Sequence, residues 1–244
     1  MKKLYGLLPA AGHGMRMRPF RYPKELLPVY YESVNQDEYV RPKLLIEHSL
    51  NAFSLTGIQD IYVVVPEWKP EIMRYLEDGE QFYHHIAYLY NGKAAGLADA
   101  LLSGYPWLKD KYTCFAMPDT LFSPANGFES LQQMMDEKNA DLVLGVFPTN
   151  EPQHFAPVEF TSDQRVIGTE EKPASTAFNN TWGIALWSPA FWEFFKNENK
   201  DLEHGISVTQ TFDKAAKSDL RVYCVYFEHG WYKDVGRIDN ITIA

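Results

Sequence analysis

Short apolar runs alternate with stretches of helical period along most of this chain, and that alternation restricts its fold more than any other feature. KLYGLLPA (3–10), IQDIYVVVP (58–66), HHIAYLY (84–90), YTCFAMPD (112–119) and ADLVLGVFP (140–148) read as strands. Between them, PKLLIEHSLNAFSLTG (42–57), EWKPEIMRYLEDG (67–79), AGLADALLSGY (95–105) and GFESLQQMMDEKNA (127–140) carry helix periodicity. Unbroken apolar strands separated by helices predict a mixed, mostly parallel sheet with helices on both faces. The second half changes character. VEFTSDQRVIGTEEKP (158–173) and NNTWGIALWSP (179–189) read as paired strands, an antiparallel C-terminal extension. Two helical pieces follow (189–197 and 207–217), then a late strand, LRVYCVYF (220–227). With 244 residues, no internal repeat and no linker, the expectation is one α/β domain spanning 1–244. YYESVNQDEYVRP (30–42) fits neither period and reads as a loop or a loose hairpin.

The first strand runs into LPAAGHGMRMRPFRYPKELLP (8–28), a glycine-rich and strongly basic loop in a chain whose net charge is −9. The acidic balance argues against a general nucleic-acid or membrane binder, so the attraction for anions is local. A glycine turn after a strand lets backbone N–H groups close around phosphate oxygens. Neither familiar phosphate fingerprint applies. GxxxxGK[ST] is absent, and GxGxxG fails because Met17 stands where its third glycine belongs. What remains is GxGxR, from Gly12 and Gly14 to Arg16, with Lys24 eight residues later and Pro19 and Pro23 stiffening the span. Arginine forks onto phosphate oxygens and lysine adds a compact second charge. Taken alone, the loop reads as well as a basic surface turn.

The apolar run at the N-terminus is too short for a signal segment, and no window approaches a membrane span. Cys114 and Cys224 fall inside buried strands and read as reduced core thiols, so the expected location is cytoplasmic. The seven histidines show no metal-ligand spacing, and His84 and His85 fall at a strand start.

The loop resembles the signature of the nucleotidyltransferases that join a nucleoside triphosphate to a sugar 1-phosphate, glucose-1-phosphate thymidylyltransferases and uridylyltransferases above all. Four further segments resemble that family in the same order: AGLADAL (95–101), FAMPDTLF (115–122), EEKP (170–173) and WYKDVGRIDN (231–240). The resemblance implies a single Rossmann-like, GT-A-like domain and a reaction giving NDP-sugar and pyrophosphate, with dTTP or UTP as the triphosphate. It implies that Arg16 and Lys24 steady the triphosphate, and that Ala10, Ala11, Gly12, Gly14, Asn91 and Gly96 surround the nucleotide. Asn91 stands where relatives place a glutamine that reads the pyrimidine. It further implies Glu171 on sugar hydroxyls, Lys172 on the sugar phosphate, and Mg²⁺ held by Asp119 and Asp234.

The chain departs from the family at Pro118, where relatives carry glycine, and at Ala156 and Pro157, beside a backbone stretch near the sugar. Read singly, Asp119 and Asp234 are turn residues, and Glu171 with Lys172 is a solvated charged turn. The implied partners are the two substrates, without nucleic acid or membrane, and a homo-oligomer stays compatible. Two other readings stay open: a cytidylyltransferase acting on a polyol or alcohol phosphate, and a non-catalytic nucleotide-sugar binder.

Overall fold

The apolar runs do become the strands of one sheet. A computed structural model describes residues 2–14, 22–34, 39–200 and 207–235. Strand β1 (Leu4–Pro9) leads into a hairpin, β2 (Pro28–Val34) and β3 (Tyr39–Leu44), then helix α1 (Leu45–Leu55). The alternation continues through β4 (Asp60–Val65), α2 (Pro70–Leu76), β5 (His85–Tyr90), α3 (Leu97–Leu102), α4 (Tyr105–Leu108) and β6 (Tyr112–Ala116). Next come β7 (Thr120–Ser123), α5 (Gly127–Lys138), β8 (Leu142–Pro148), β9 (Val158–Phe160), β10 (Val166–Thr169) and β11 (Asn180–Trp187). Helices α6 (Pro189–Glu198) and α7 (Val208–Ala216) precede β12 (Val222–Tyr226) and β13 (Trp231–Asp234).

The main sheet has seven strands in the order β12-β8-β11-β6-β1-β4-β5. All its pairings are parallel except those of β11 with β6 and β8. The antiparallel C-terminal strands are present, and one of them takes a central place. All eight residues of β11 are buried, as a strand covered on both faces requires. The pleat sends Ala185 and Trp187 to one core, with Trp192, Phe195 and Phe212 from α6 and α7. Ile184 and Leu186 go to the other, with Phe53 of α1 and Phe128 of α5. Helix α7 begins in a reciprocal cap: Ser207 Oγ accepts from Gln210 N–H at 3.1 Å, and Gln210 Oε1 accepts from Ser207 N–H at 3.0 Å.

Of segment 30–42, residues 30–34 lie on β2 and 39–42 on β3, which pair antiparallel as the hairpin alternative expects, and 35–38 lie outside the described residues. Cys114 and Cys224 are buried and free. Among the described residues, no helix is long and apolar enough to cross a membrane. The C-terminal ends of β1 and β6 lie side by side at one sheet edge, with β4 beyond β1 and β11 beyond β6. Open α/β sheets form their crevices where the chain leaves neighbouring strands in this way.

Candidate active site

Ala10 extends the β1 ladder by one bond, its N–H donating to Val64 O at 2.8 Å. Its carbonyl accepts from Lys69 Nζ at 3.0 Å, and its side chain is fully buried. Both backbone groups are therefore engaged inside the protein, and Ala10 supports the loop. Ala11 and Gly12 do line a cavity. A Cβ added at Gly12 would meet nothing within 4 Å, so this backbone stays open to a ligand's approach. Gly14 has φ +61 and Gly96 φ +117, both in the region that favours glycine. Arg16 lies outside the described residues.

Lys24 sits in a short 3-10 turn, Lys24–Leu26, and its Nζ is ion-paired with Asp119 Oδ2. The two side chains are only 12% and 14% exposed, so Lys24 is not an exposed loop cation. Burial works against its charge, but the Asp119 carboxylate, with Glu25 and Asp234, outweighs burial and holds its pKa above the ordinary lysine value.

Asp119 follows β6 in the turn to β7, and Asp234 ends β13. These two strands pair antiparallel with Asp234 opposite Thr120, and Val235 N–H donates to Asp119 O at 3.2 Å. The ribbon thus places the two aspartates at one corner of the sheet edge. Both charges act on Lys24, and both reinforce burial in raising the Tyr232 hydroxyl well above its usual pKa.

Two adjoining cavities share Gly96, Leu97, Met117 and Lys172 as common wall. The smaller, about 370 Å³, is lined by Ala11, Gly12, Lys24 and Asp119. The larger, about 450 Å³, is lined by Glu171, Trp182, Tyr232 and Asp234. One aspartate therefore faces each cavity, and Lys172 borders both. Lys172 has φ +44, and its N–H donates to Phe155 O at 2.8 Å, which fixes the backbone turn that presents it.

Asn91 is held by α3 and the loop before it. It is 5% exposed, and its Nδ2 donates to Asp99 O, Asp99 Oδ2 and Ser103 Oγ at 2.9–3.2 Å. Its Oδ1 accepts from Ala94 N–H at 2.8 Å. An amide has two donors and one acceptor oxygen, and all are engaged inside the fold. Asn91 thereby pins the loop that carries Ala95 and Gly96 to the cavity wall. At the departure from the family pattern, Ala156 N–H donates to Thr181 Oγ1 at 3.3 Å, and Pro157 has no N–H. That stretch of backbone offers the larger cavity no free donor.

Among the described residues, no group of three or more His, Cys, Asp or Glu side chains could hold a metal alone. Mg²⁺ commonly takes one or two carboxylates and completes its shell with substrate phosphates and water. Asp119 and Asp234, brought to one corner by the β7–β13 ribbon, are a donor set of the type such an ion takes. Sequence reasoning missed Glu25, Lys69, Tyr232 and His13, whose ring stacks on Trp68 at 4.7 Å. The sequence reading gives Glu25 and Lys69 no role, since no local pattern marks their burial.

Residues 5–244 match the protein-family model described as nucleotidyl transferase. A glucose-1-phosphate thymidylyltransferase of Neisseria meningitidis is 30% identical over 171 residues, 69% of this chain and 55% of that protein. The enzyme of the same name from Streptomyces antibioticus is 24% identical over 96% of this chain and 63% of its own length. The chain thus spans less than two thirds of each of these relatives. A Bacillus anthracis crystal structure with bound sucrose superposes at a TM-score of 0.84, with 20% identity, covering 97% of this chain and 92% of that one. A UDP-glucose pyrophosphorylase complexed with UDP-glucose gives 0.78 at 17% identity, over 99% and 96% of the two chains.

Proposed function

Because the chain belongs to the nucleotidyl transferase family, we propose that it joins a nucleoside triphosphate to a sugar 1-phosphate, giving NDP-sugar and pyrophosphate. One observation carries this reading: two cavities meet at Lys172, with Asp119 on one side and Asp234 on the other. The smaller cavity, with its glycine backbone and Lys24, suits a triphosphate. The larger, with Glu171 and Tyr232, suits a sugar. The reacting atoms then meet where the carboxylates are.

A phosphate oxygen of the sugar 1-phosphate attacks the α-phosphorus, and the bond from that phosphorus to the pyrophosphate oxygen breaks. The nucleophile is already an anion, so no side chain need deprotonate it. The chain's task is positioning and charge compensation. In the ligand-free protein Lys24 and Asp119 neutralise each other. A triphosphate competes for Lys24, which steadies the leaving pyrophosphate and frees Asp119 for a cation. Lys172 offsets charge on the sugar phosphate, and Glu171 accepts from sugar hydroxyls. Arg16 keeps its proposed place on the triphosphate. Mg²⁺, held by Asp119 and Asp234, would neutralise the repulsion between the two phosphates.

The names of the relatives support dTTP as the triphosphate and a glucose-like sugar, with UTP kept as the other pyrimidine triphosphate. The donor-poor wall at Ala156 and Pro157 supports a sugar preference different from theirs. Pyrophosphate release measured over a matrix of triphosphates and sugar 1-phosphates tests the proposal. Release should require both partners, with dTTP or UTP preferred. Binding without release for every pair would favour a nucleotide-sugar binder.

A further inference from the structure

Behind the glycine loop, two charged residues are buried together. Lys69, the residue before α2, is 6% exposed and Glu25 is 2% exposed. Lys69 Nζ donates to Glu25 Oε1 at 2.7 Å and to Ala10 O at 3.0 Å. One ammonium therefore ties three segments that are distant in sequence: the exit of β1, the turn carrying Lys24, and the start of α2. Glu25 Oε2 is buried with no hydrogen-bond partner, and Glu25 borders the same cavity as Gly12, Lys24 and Asp119.

Stability does not account for this pair. Burying two opposite charges costs several kcal/mol per ion, recovered only when the remaining lone pairs are satisfied. Here one carboxylate oxygen is not. Burial also raises the Glu25 pKa against the opposing pull of Lys69. Geometry accounts for the pair better. A trans peptide is planar, so its C=O and the following N–H point in opposite directions. Lys69 draws the Ala10 carbonyl inward, which turns the Ala11 N–H outward, on a residue that lines the cavity. The same ammonium grips Glu25, whose neighbour is Lys24.

We propose that Lys69 and Glu25 are positioning residues that hold the loop backbone and the Lys24 turn in a fixed relation for phosphate binding. This rests on the reading that a triphosphate lies against the loop. Neither residue need touch the reacting atoms.

The test is the double variant Glu25→Leu/Lys69→Met, which replaces both charges with apolar side chains and leaves no unpaired buried ion. Exchanging a buried ion pair for well-packed apolar groups is often neutral or stabilising, so its melting temperature should match or exceed the wild type's. The KM for the triphosphate should rise about tenfold and kcat should fall, with the KM for the sugar 1-phosphate within about twofold. Lys69→Met alone should act in the same direction and also lose stability. Inorganic pyrophosphate, titrated by calorimetry, should bind the double variant about tenfold more weakly, a readout independent of turnover. An unchanged triphosphate KM and pyrophosphate affinity, or equal rises in both KM values, would overturn the proposal. A wild type that binds pyrophosphate but releases none with any substrate pair would sink the proposed reaction. Weaker pyrophosphate binding by the double variant would then still uphold the positioning role.

Discussion

Gly183→Ala should disturb the candidate site from inside the sheet, without touching any ligand. Gly183 lies in β11 where the register with β8 shifts, and a Cβ built there falls 2.5 Å from Tyr232 Cδ2 and 2.6 Å from Cε2. Its third neighbour, Phe147 Cε2, is at 3.0 Å. Carbon atoms in contact sit about 3.5–4.0 Å apart, so the Tyr232 ring must retreat by about 1 Å. It has little freedom to do so, because Phe147 stacks on it at 5.9 Å and Phe155 meets it edge-on at 6.0 Å. Either the ring moves into the cavity it lines or β13 shifts. Tyr232 and Asp234 are two apart on one strand and share a face, so a shift of β13 carries the carboxylate with it. Overpacking of this kind costs about 1–3 kcal/mol in folding stability. A comparable loss at the transition state, about 1.4 kcal/mol, lowers kcat/KM about tenfold. Urea unfolding reads the first quantity and pyrophosphate release the second. Tyr232→Leu placed on the Gly183→Ala background should recover part of the lost stability by making room. A Gly183→Ala protein with wild-type stability and rate would refute the packing argument.

Other substitutions follow from the same geometry. Lys24→Ala should lower kcat/KM about a hundredfold, near 2.7 kcal/mol, and should also reduce stability by about 1–3 kcal/mol, between exposed and buried ion-pair values. Kinetics and urea unfolding on one preparation check both. Asn91→Ala strands the groups its amide holds and should cost about 1–3 kcal/mol, with the preference among triphosphates unchanged; a changed preference at full stability would support a base-reading role. Buried His48, whose Nε2 accepts from Phe122 N–H at 3.0 Å, has its pKa lowered to about 4 by burial. Below pH about 6.5 the unfolded chain takes up a proton there that the folded chain refuses, so stability falls as pH drops from about 6.5 toward about 4. The slope is about 1.4 kcal/mol per pH unit, and pH-dependent unfolding of His48→Gln should lack that component.

The sheet was legible because its strands are continuous apolar runs long enough to need two covered faces. The place of β11 was not. NNTWGIALWSP shows that the segment is extended and buried, but which neighbours it joins depends on register across distant parts of the chain. Asp119 and Asp234 could be paired beforehand only through the five ordered motifs, since each alone reads as a turn residue. Lys24 was legible as a cation and its partner was not, because ion pairing with Asp119 depends on how β6 and the first loop come together. Asn91 shows the opposite case. Its chemistry suits a base, but Asp99 and Ser103, on and just after α3, claim the amide once that helix folds back. Glu25 and Lys69 carry no local signal of burial, since charged residues beside proline and in short turns are ordinarily solvated.

Pyrophosphate release against Mg²⁺ concentration measures most directly what joins the two cavities. Wild-type protein, with a triphosphate and a sugar 1-phosphate both present, should release pyrophosphate only when Mg²⁺ is added. Asp119→Asn and Asp234→Asn should each lower the rate and shift the Mg²⁺ dependence upward, with excess Mg²⁺ restoring part of the rate. Excess Mg²⁺ should not restore the double variant. Release that needs no sugar phosphate, or a double variant that keeps the wild-type rate and Mg²⁺ dependence, would contradict the account.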